Sequence, residues 1–315
     1  MVSLPANAAA YVKGLLCVFE NANCVSLSRI AQRSHDSLTR VLVGRTVPWQ
    51  TLLEQFLAST FGKLQGGWLM IDDTVITKPF ARMIEGLAWV YDSEAKRSIL
   101  GLNIVLVAWS NGALTIPLAL RVYRAKSGKT KIDLALSLMA YCRNVLRLRP
   151  DFITFDCWYS ASAILRRCDY YGWTYVTVLK KNRKLNGVSV RKLHRHPYWI
   201  ERGTLEGGIS VLVVRNGKKY FATNNCSFSR RDVLNHYRGR WLVETIFRAL
   251  HSKLGLDECE SRSLTAQTAH FHLCLMAYCV LGREGYVTKR TVYDVKQQCS
   301  FNFRFADELL TKLHF

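Results

Sequence analysis

The sequence has ten cysteines but no CxxC pair. That lack argues against a zinc ribbon, a zinc finger or a redox dithiol motif, all of which need thiols at short fixed spacing. Most of the cysteines, for instance Cys142, Cys274 and Cys279, stand inside apolar segments. They read as buried thiols of a protein kept in the reducing cytoplasm, not as a disulfide scaffold. His270, His272 and Cys274 have no ligand spacing on a helix and are assigned to core packing. No apolar run reaches the roughly 18 residues of a membrane span. No basic start followed by an apolar run and a small-residue site marks a secretory signal. Internal repeats and low-complexity stretches are also missing. Acidic residues are scarce: 23 Asp+Glu stand against 44 Lys+Arg, for a net charge of +21. A folded chain so unbalanced repels itself unless it meets a polyanion, so nucleic acid is the expected partner. The 315 residues, 49% of them hydrophobic, allow one large or two modest domains.

Within this basic chain, residues 229–262, SRRDVLNHYRGRWLVETIFRALHSKLGLDECESR, have helical spacing and no proline. Ser229 or Asp232 is the expected cap and Gly255 the expected stop. At about 100° per residue, Tyr237, Arg240, Glu244, Arg248 and His251 fall on one narrow stripe. Leu234, Leu242, Val243, Ile246, Phe247 and Leu250 take up the remaining circumference. A surface row of i, i+4 ion pairs is the competing reading, but such rows have polar flanks. The expectation is a largely buried helix that turns one polar seam toward a site.

Two further acidic positions end apolar runs. In WLMIDDTVITKP a buried strand leads into Asp72 and Asp73, which point to opposite faces. A charge there is expensive without a partner or a metal; a turn in which Asp73 bonds its own backbone is the alternative. In DFITFDCWYS the short strand FITF ends at Asp156. Between these acids, residues 87–122 alternate and carry a hairpin signal at Ser110-Asn111-Gly112. Pro117 confines one hairpin partner to an edge or irregular strand. An amphipathic helix follows over 131–149, then a helix over 161–171 and the strand WTYVTVLK. This order predicts an α/β, ribonuclease H-like mixed sheet flanked by helices, over residues 63–183 and 230–284, with acids at the ends of its first and fourth strands. Residues 184–229 read as a β-rich insertion with a hairpin around Asn216-Gly217. Residues 1–62 read as helical. There, SLSRIAQRSHDSLTRVL has the cadence of a helix-turn-helix, with Ser26 and Asp36 as caps and Ser34-His35 as the turn. Ile30, Ala31, Leu38, Val41 and Leu42 would face inward and Ser37, Thr39 and Arg40 outward, toward DNA. A helix pair that only packs on the rest of the chain has the same pattern. An apolar helix over 266–281 and a basic, aromatic tail over 285–315 complete the chain.

Tyr237, Arg240 and Glu244 form the pattern Tyr, two residues, Arg, three residues, Glu. It resembles the C-terminal catalytic motif of the DDE transposases of bacterial insertion sequences, in the superfamily named for insertion sequence four. That motif continues with six residues and a Lys, where this chain has His251. Arg248, one turn after Glu244, offers a positive charge; Lys253 lies on the opposite side of an ideal helix. The upstream pattern Asp-x-Thr matches Asp72, Asp73, Thr74 and selects Asp72, with Asp73 the runner-up. The pattern Asp, two residues, Tyr matches Asp156 and Tyr159. The resemblance covers roughly residues 68–281 and implies a DNA transposase: metal-dependent cleavage at element ends, then strand transfer into target DNA. It implies Asp72, Asp156 and Glu244 as catalytic, metal-binding acids, two Mg²⁺ ions with Mn²⁺ able to substitute, and phosphate contacts from Tyr237, Arg240, Arg248 and His251. The implied partner is double-stranded DNA, bound by a homodimer; the helix-turn-helix reading adds Arg40 as a further contact. Three carboxylates from separate elements are the smallest cage for two divalent ions about 4 Å apart, and such hard cations prefer oxygen ligands. Trp158 and Trp241 adjoin the site as core aromatics or as platforms for a displaced base. A structure-specific nuclease of the same fold is the rival reading, and the departure at His251 keeps open a decayed copy that only binds DNA.

Overall fold

Alternating and β-branched runs pair into one large mixed sheet, and helices cover it. The structure is a computed structural model and describes residues 4–44, 47–92, 96–125, 127–194 and 196–313. Four helices open the chain: α1 (Ala6–Cys17), α2 (Cys24–Ala31), α3 (His35–Val43) and α4 (Trp49–Phe61). The sheet begins with β1 (Trp68–Thr77), β2 (Ala88–Asp92), β3 (Arg97–Ser110) and β4 (Thr115–Tyr123). Then come α5 (Lys131–Asn144), β5 (Phe152–Phe155), α6 (Ser162–Tyr171) and β6 (Thr174–Leu179). A strand-rich segment holds β7 (Lys184–Leu185), β8 (Val188–Ser189), the single turn α7 (Val190–Leu193), β9 (Tyr198–Leu205), β10 (Ile209–Asn216) and β11 (Lys219–Thr223). The chain closes with α8 (Arg230–Arg238), α9 (Trp241–Leu254), α10 (Leu264–Thr288), α11 (Val292–Phe301) and α12 (Phe303–Lys312).

The strand order is β2-β3-β1-β5-β6-β11-β10-β9-β7-β8, with β4 also paired to β3. Strands β1, β5 and β6 are parallel, joined through α5 and α6, and β3 runs antiparallel to β1. The series β4-β3-β1-β5-β6 is the expected ribonuclease H-like arrangement. β3 is long enough to pair with β2 through its first residues and with β4 through the rest. Pro117 lies on the outer strand β4, where the register shifts opposite Val107 and Ala108, as a missing N–H donor requires. The 184–229 segment extends the same sheet, because β11 pairs antiparallel with β6.

The core is shared from end to end. One apolar cluster includes Leu4 near the start and Leu313 near the end. At its centre lies α10, which begins two residues earlier than expected and runs seven longer. This 25-residue helix is apolar enough to cross a membrane, yet 89% of its most apolar window is buried inside the protein. α1, α3, α4, α9 and α11 pack around it. The segment read as a basic tail forms α11 and α12, which pack on α1.

Three local expectations change. The two helices of residues 24–43 start at Asn23 and Ser34, whose side chains accept from the Ser26 and Ser37 N–H groups. Ser26 and Asp36 thus sit inside the helices, and the turn falls at Gln32, which is left-handed. Leu27, Ala31, Leu38 and Leu42 are buried, but Thr39 is half-buried rather than outward, in a small pocket with Tyr11 and Cys24. The helix expected over 131–149 ends at Asn144. The helix expected from Ser229 to Gly255 is divided. Its ends are as expected, with a Ser229–Asp232 capping box and left-handed Gly255. Between Arg238 and Trp241, however, N–H groups bond three residues back instead of four: Gly239 to His236, Arg240 to Tyr237 and Leu242 to Gly239. This is a tightened 3₁₀-type turn. It lies against Trp68 of β1, and a Cβ at Gly239 would come within 2.6 Å of the indole. Only Val233 of α8 is fully buried, so the apolar circumference belongs to α9.

Gly239→Ala should therefore lower stability by about 2 kcal/mol, the usual scale of overpacking, measured by chemical denaturation. In a Trp68→Leu background the same change should be much milder. Equal losses in both backgrounds would show that the Trp68 contact does not dictate the glycine.

Candidate active site

Strand alternation separates the two neighbouring aspartates. Asp73 is fully committed to the scaffold. Its Oδ2 accepts from Lys131 Nζ on α5 and Asn103 Nδ2 on β3, each at 2.8 Å, and its Oδ1 accepts from the Tyr159 hydroxyl at 2.7 Å. Asp72 has lighter obligations. Its Oδ1 accepts from the Asp73 N–H at 2.9 Å, and its Oδ2 accepts from Arg240 Nη1 at 2.9 Å. Asp156 follows directly on β5. Its Oδ1 accepts from the N–H groups of Trp158 at 2.8 Å and Tyr159 at 3.3 Å, a turn closed by its own side chain. The buried Thr177 hydroxyl of β6 donates to the carbonyls of Phe155 and Asp156 and fixes that strand end. Glu244 stands in the first turn of α9 and accepts from Arg240 Nη2. One guanidinium thus bridges Asp72 of the sheet and Glu244 of the helix.

These acids line one cavity of about 750 Å³, and Tyr237, Arg240, Arg248 and His251 line it with them. The stripe foreseen for an unbroken helix thus converges on one site despite the 3₁₀ turn. Burial and the neighbouring Asp156 charge push the Asp72 carboxyl up to about 7, against the pull of Arg240. Asp156 is also raised, mainly by burial, with its two backbone N–H bonds opposing. Burial pushes the Tyr237 hydroxyl up to about 12; its ring lies 5.7 Å from the Arg240 guanidinium. Arg248 is exposed at the rim. Both ring nitrogens of His251 are engaged, Nε2 with Thr74 Oγ1 at 2.9 Å and Nδ1 with Asp257 Oδ2 at 2.6 Å. Arg40 is exposed on α3 and does not line the cavity.

Trp158 and Trp241 are 52% and 55% exposed, which excludes a core role for both. The ammonium groups of Lys131 and Lys180 lie 5.0 and 4.8 Å from the Trp158 ring centre. His270 and His272 are buried in the core, as expected, and burial pushes both down to about 4. All ten cysteines are unpaired. Sequence reasoning did not foresee Asn103 and Lys131 as partners of Asp73, nor Asp257 as a partner of His251. Only Tyr159 had a signal, its spacing from Asp156.

The donor set suits a hard divalent cation: three carboxylates, with one positive guanidinium already between two of them and the Cys157 thiol in the same cavity held protonated by burial. Burial first, and then the Asp156 charge, raises the Asp72 carboxyl. Among the described residues, no three acidic, His or Cys groups are gathered closely enough to hold a metal as they stand. With Arg240 in place, that guanidinium supplies the countercharge.

The raised Asp72 carboxyl sets a pH dependence. Its folded value, about 7, lies above its unfolded value near 3.9. The folded state therefore binds the proton more tightly. The resulting stability is full below about pH 4 and is lost as pH rises through about 7, on the order of 4 kcal/mol in all. With divalent ions chelated, denaturation of wild-type protein and Asp72→Asn between pH 4 and 8 should diverge, the variant gaining relative stability as pH rises. Parallel curves would show that Asp72 ionises normally.

The transposase DDE domain family matches residues 66–280. A comparison with curated proteins finds no match. Among solved structures, a cryo-EM structure of a piggyBac transposase synaptic complex with hairpin DNA is similar to this chain. The TM-score is 0.61 at 12% identity, over 100% of this chain and 73% of that one. At that identity the likeness is one of fold. The matched span runs from just before β1 into α10 and takes in Asp72, Asp156 and Glu244, so the chain belongs to the transposase DDE domain family.

Proposed function

We propose that this protein is a DNA transposase of the insertion-sequence-four type, which cuts at the ends of a DNA element and joins the freed 3′ ends to target DNA. The observation that carries this reading is the convergence of Asp72, Asp156 and Glu244, from two strands and a helix, on one cavity in a chain of net charge +21. Asp72 rather than Asp73 is the first acid, because every oxygen of Asp73 is held by Lys131, Asn103 or Tyr159. The three acids would hold Mg²⁺, or Mn²⁺ in its place. Bound there, the metal supplies an activated oxygen nucleophile and charge stabilisation at the leaving oxygen.

The chain's own residues do the rest. Arg240 keeps Asp72 and Glu244 together before DNA arrives. With Arg248 and Tyr237 it then holds phosphates beside the acids. In the first reaction water attacks phosphorus, the P–O3′ bond breaks and the 3′ oxygen leaves as a hydroxyl. In the second, that hydroxyl attacks a target phosphodiester and displaces another 3′ oxygen. Two copies, one per element end, fit a reaction on paired ends.

Asp72→Asn, Asp156→Asn and Glu244→Gln should each reduce cleavage of end-containing duplexes to background while leaving DNA binding largely intact, since binding rests on Lys and Arg. Near wild-type cleavage in any of the three would remove that residue from the site. Paired-end substrates mixed with target plasmid should give joined products; cleavage without joining would make the protein a nuclease, and binding without cleavage an inactive copy. Arg40→Ala should weaken binding to element ends more than to random duplex, measured by fluorescence anisotropy. Equal loss on both would reduce α2 and α3 to packing elements.

A further inference from the structure

The proton chain Thr74–His251–Asp257 sits in the wall of the same cavity. Thr74 lies two residues beyond Asp72 on β1, on the same face at about 7 Å along the strand. The His251 ring, bonded to Thr74, lines the same cavity as the acids. Asp257 reaches it by a sharp return of the chain after α9. Gly255 is left-handed, φ +61°, and a Cβ there would come within 2.4 Å of Ala22. The returning loop is then pinned from below. Lys78, only 8% exposed, donates from Nζ to the Asp257 and Cys259 carbonyls. The buried Gln267 amide donates to the carbonyls of Cys259 and Ser261. A buried lysine and a buried glutamine fixing three consecutive odd-numbered carbonyls make a rigid platform, and Asp257 is the residue it presents to His251.

We propose that Asp257 is a positioning residue for a phosphate contact made by His251, and that the Thr74 hydroxyl holds the place of a phosphate oxygen until DNA enters. This rests on the reading of the cavity as a DNA site. By accepting the Nδ1 proton, Asp257 fixes the ring orientation and turns Nε2 toward Thr74 Oγ1. Protonated on DNA, the ring donates Nε2–H to a phosphate oxygen in place of Thr74. Arg248 and Glu244 on α9, Asp72 on β1, Tyr91 on β2 and Lys219 on β11 line the same cavity.

The test compares wild type, Asp257→Asn, and Asp257→Asn combined with His251→Lys, each checked for folding by its melting curve. In DNA-free protein labelled at histidine, nitrogen NMR should show the His251 proton held on Nδ1 in wild type and shared between both ring nitrogens in Asp257→Asn. Duplex affinity by anisotropy should fall about tenfold in Asp257→Asn, or about 1.4 kcal/mol. The double variant should recover wild-type affinity, because lysine needs no carboxylate to orient it. An unchanged His251 tautomer overturns the proposal. So does a changed tautomer with unchanged affinity, or a double variant no better than the single one. If wild-type protein binds duplex but cuts nothing, the transposase reading falls while these binding profiles still decide the role of Asp257.

Discussion

Three carboxylates gathered at one end of a sheet repel one another, and the rest of the molecule is arranged around holding them there. Burial raises the Asp72 and Asp156 carboxyls, and the Asp156 charge raises Asp72 further. The main relief of the repulsion in the protein alone is Arg240, shared between Asp72 and Glu244. Arg240 stands in the 3₁₀ turn that joins α8 to α9. That turn needs Gly239, because the Trp68 indole at the start of β1 leaves no space for a side chain. Strand, turn and helix therefore meet through one indole at the back and one guanidinium at the front.

Asp73 does the opposite job with the same chemistry. Pointing away from Asp72, it takes a lysine, an amide and a phenol, and so ties β1 to β3, α5 and the loop after β5. Removing one partner from such a buried pair leaves an uncompensated charge, which is typically far worse than never having had the pair. Two adjacent aspartates thus divide the labour. One is spent on geometry, and this leaves the other open toward the cavity.

Much of this was legible in the sequence because periodicity is local. Alternation gave β3 and β4, the apolar runs WLMI and FITF led to the acids, and the seam on α9 followed from a 3.6-residue repeat; FITF ends at Asp156 as read, but β1 does not stop at its aspartates and runs on to Thr77. What failed to show was whatever depended on a distant neighbour. The break at Gly239 is dictated by Trp68, some 170 positions earlier, and nothing in residues 229–255 announces it. Lys131 and Asn103 as partners of Asp73 depend on how α5 and β3 lie across β1. The returns at Gly255 and Asp257 look like an ordinary helix stop until Lys78 is seen beneath them. The tail over 285–315 looked featureless because α11 and α12 derive their order from packing on α1. Thr39 misled for a related reason: on an isolated helix its exposure is set by the neighbouring face, and here Tyr11 occupies that side.

The shared core has a consequence for how the chain is made. α1 packs on α10, α11 and α12. Tyr11 bonds His270, Lys13 pairs with Asp307, and the buried Lys296 donates to the Val18 carbonyl. α1 must therefore wait for partners synthesised 259 to 294 residues later, with α2 and α3 as its nearby cover. Packing of α1 cannot be completed ahead of synthesis. During that interval the nascent chain depends on chaperones or on transient local pairing to keep α1 from the wrong partners.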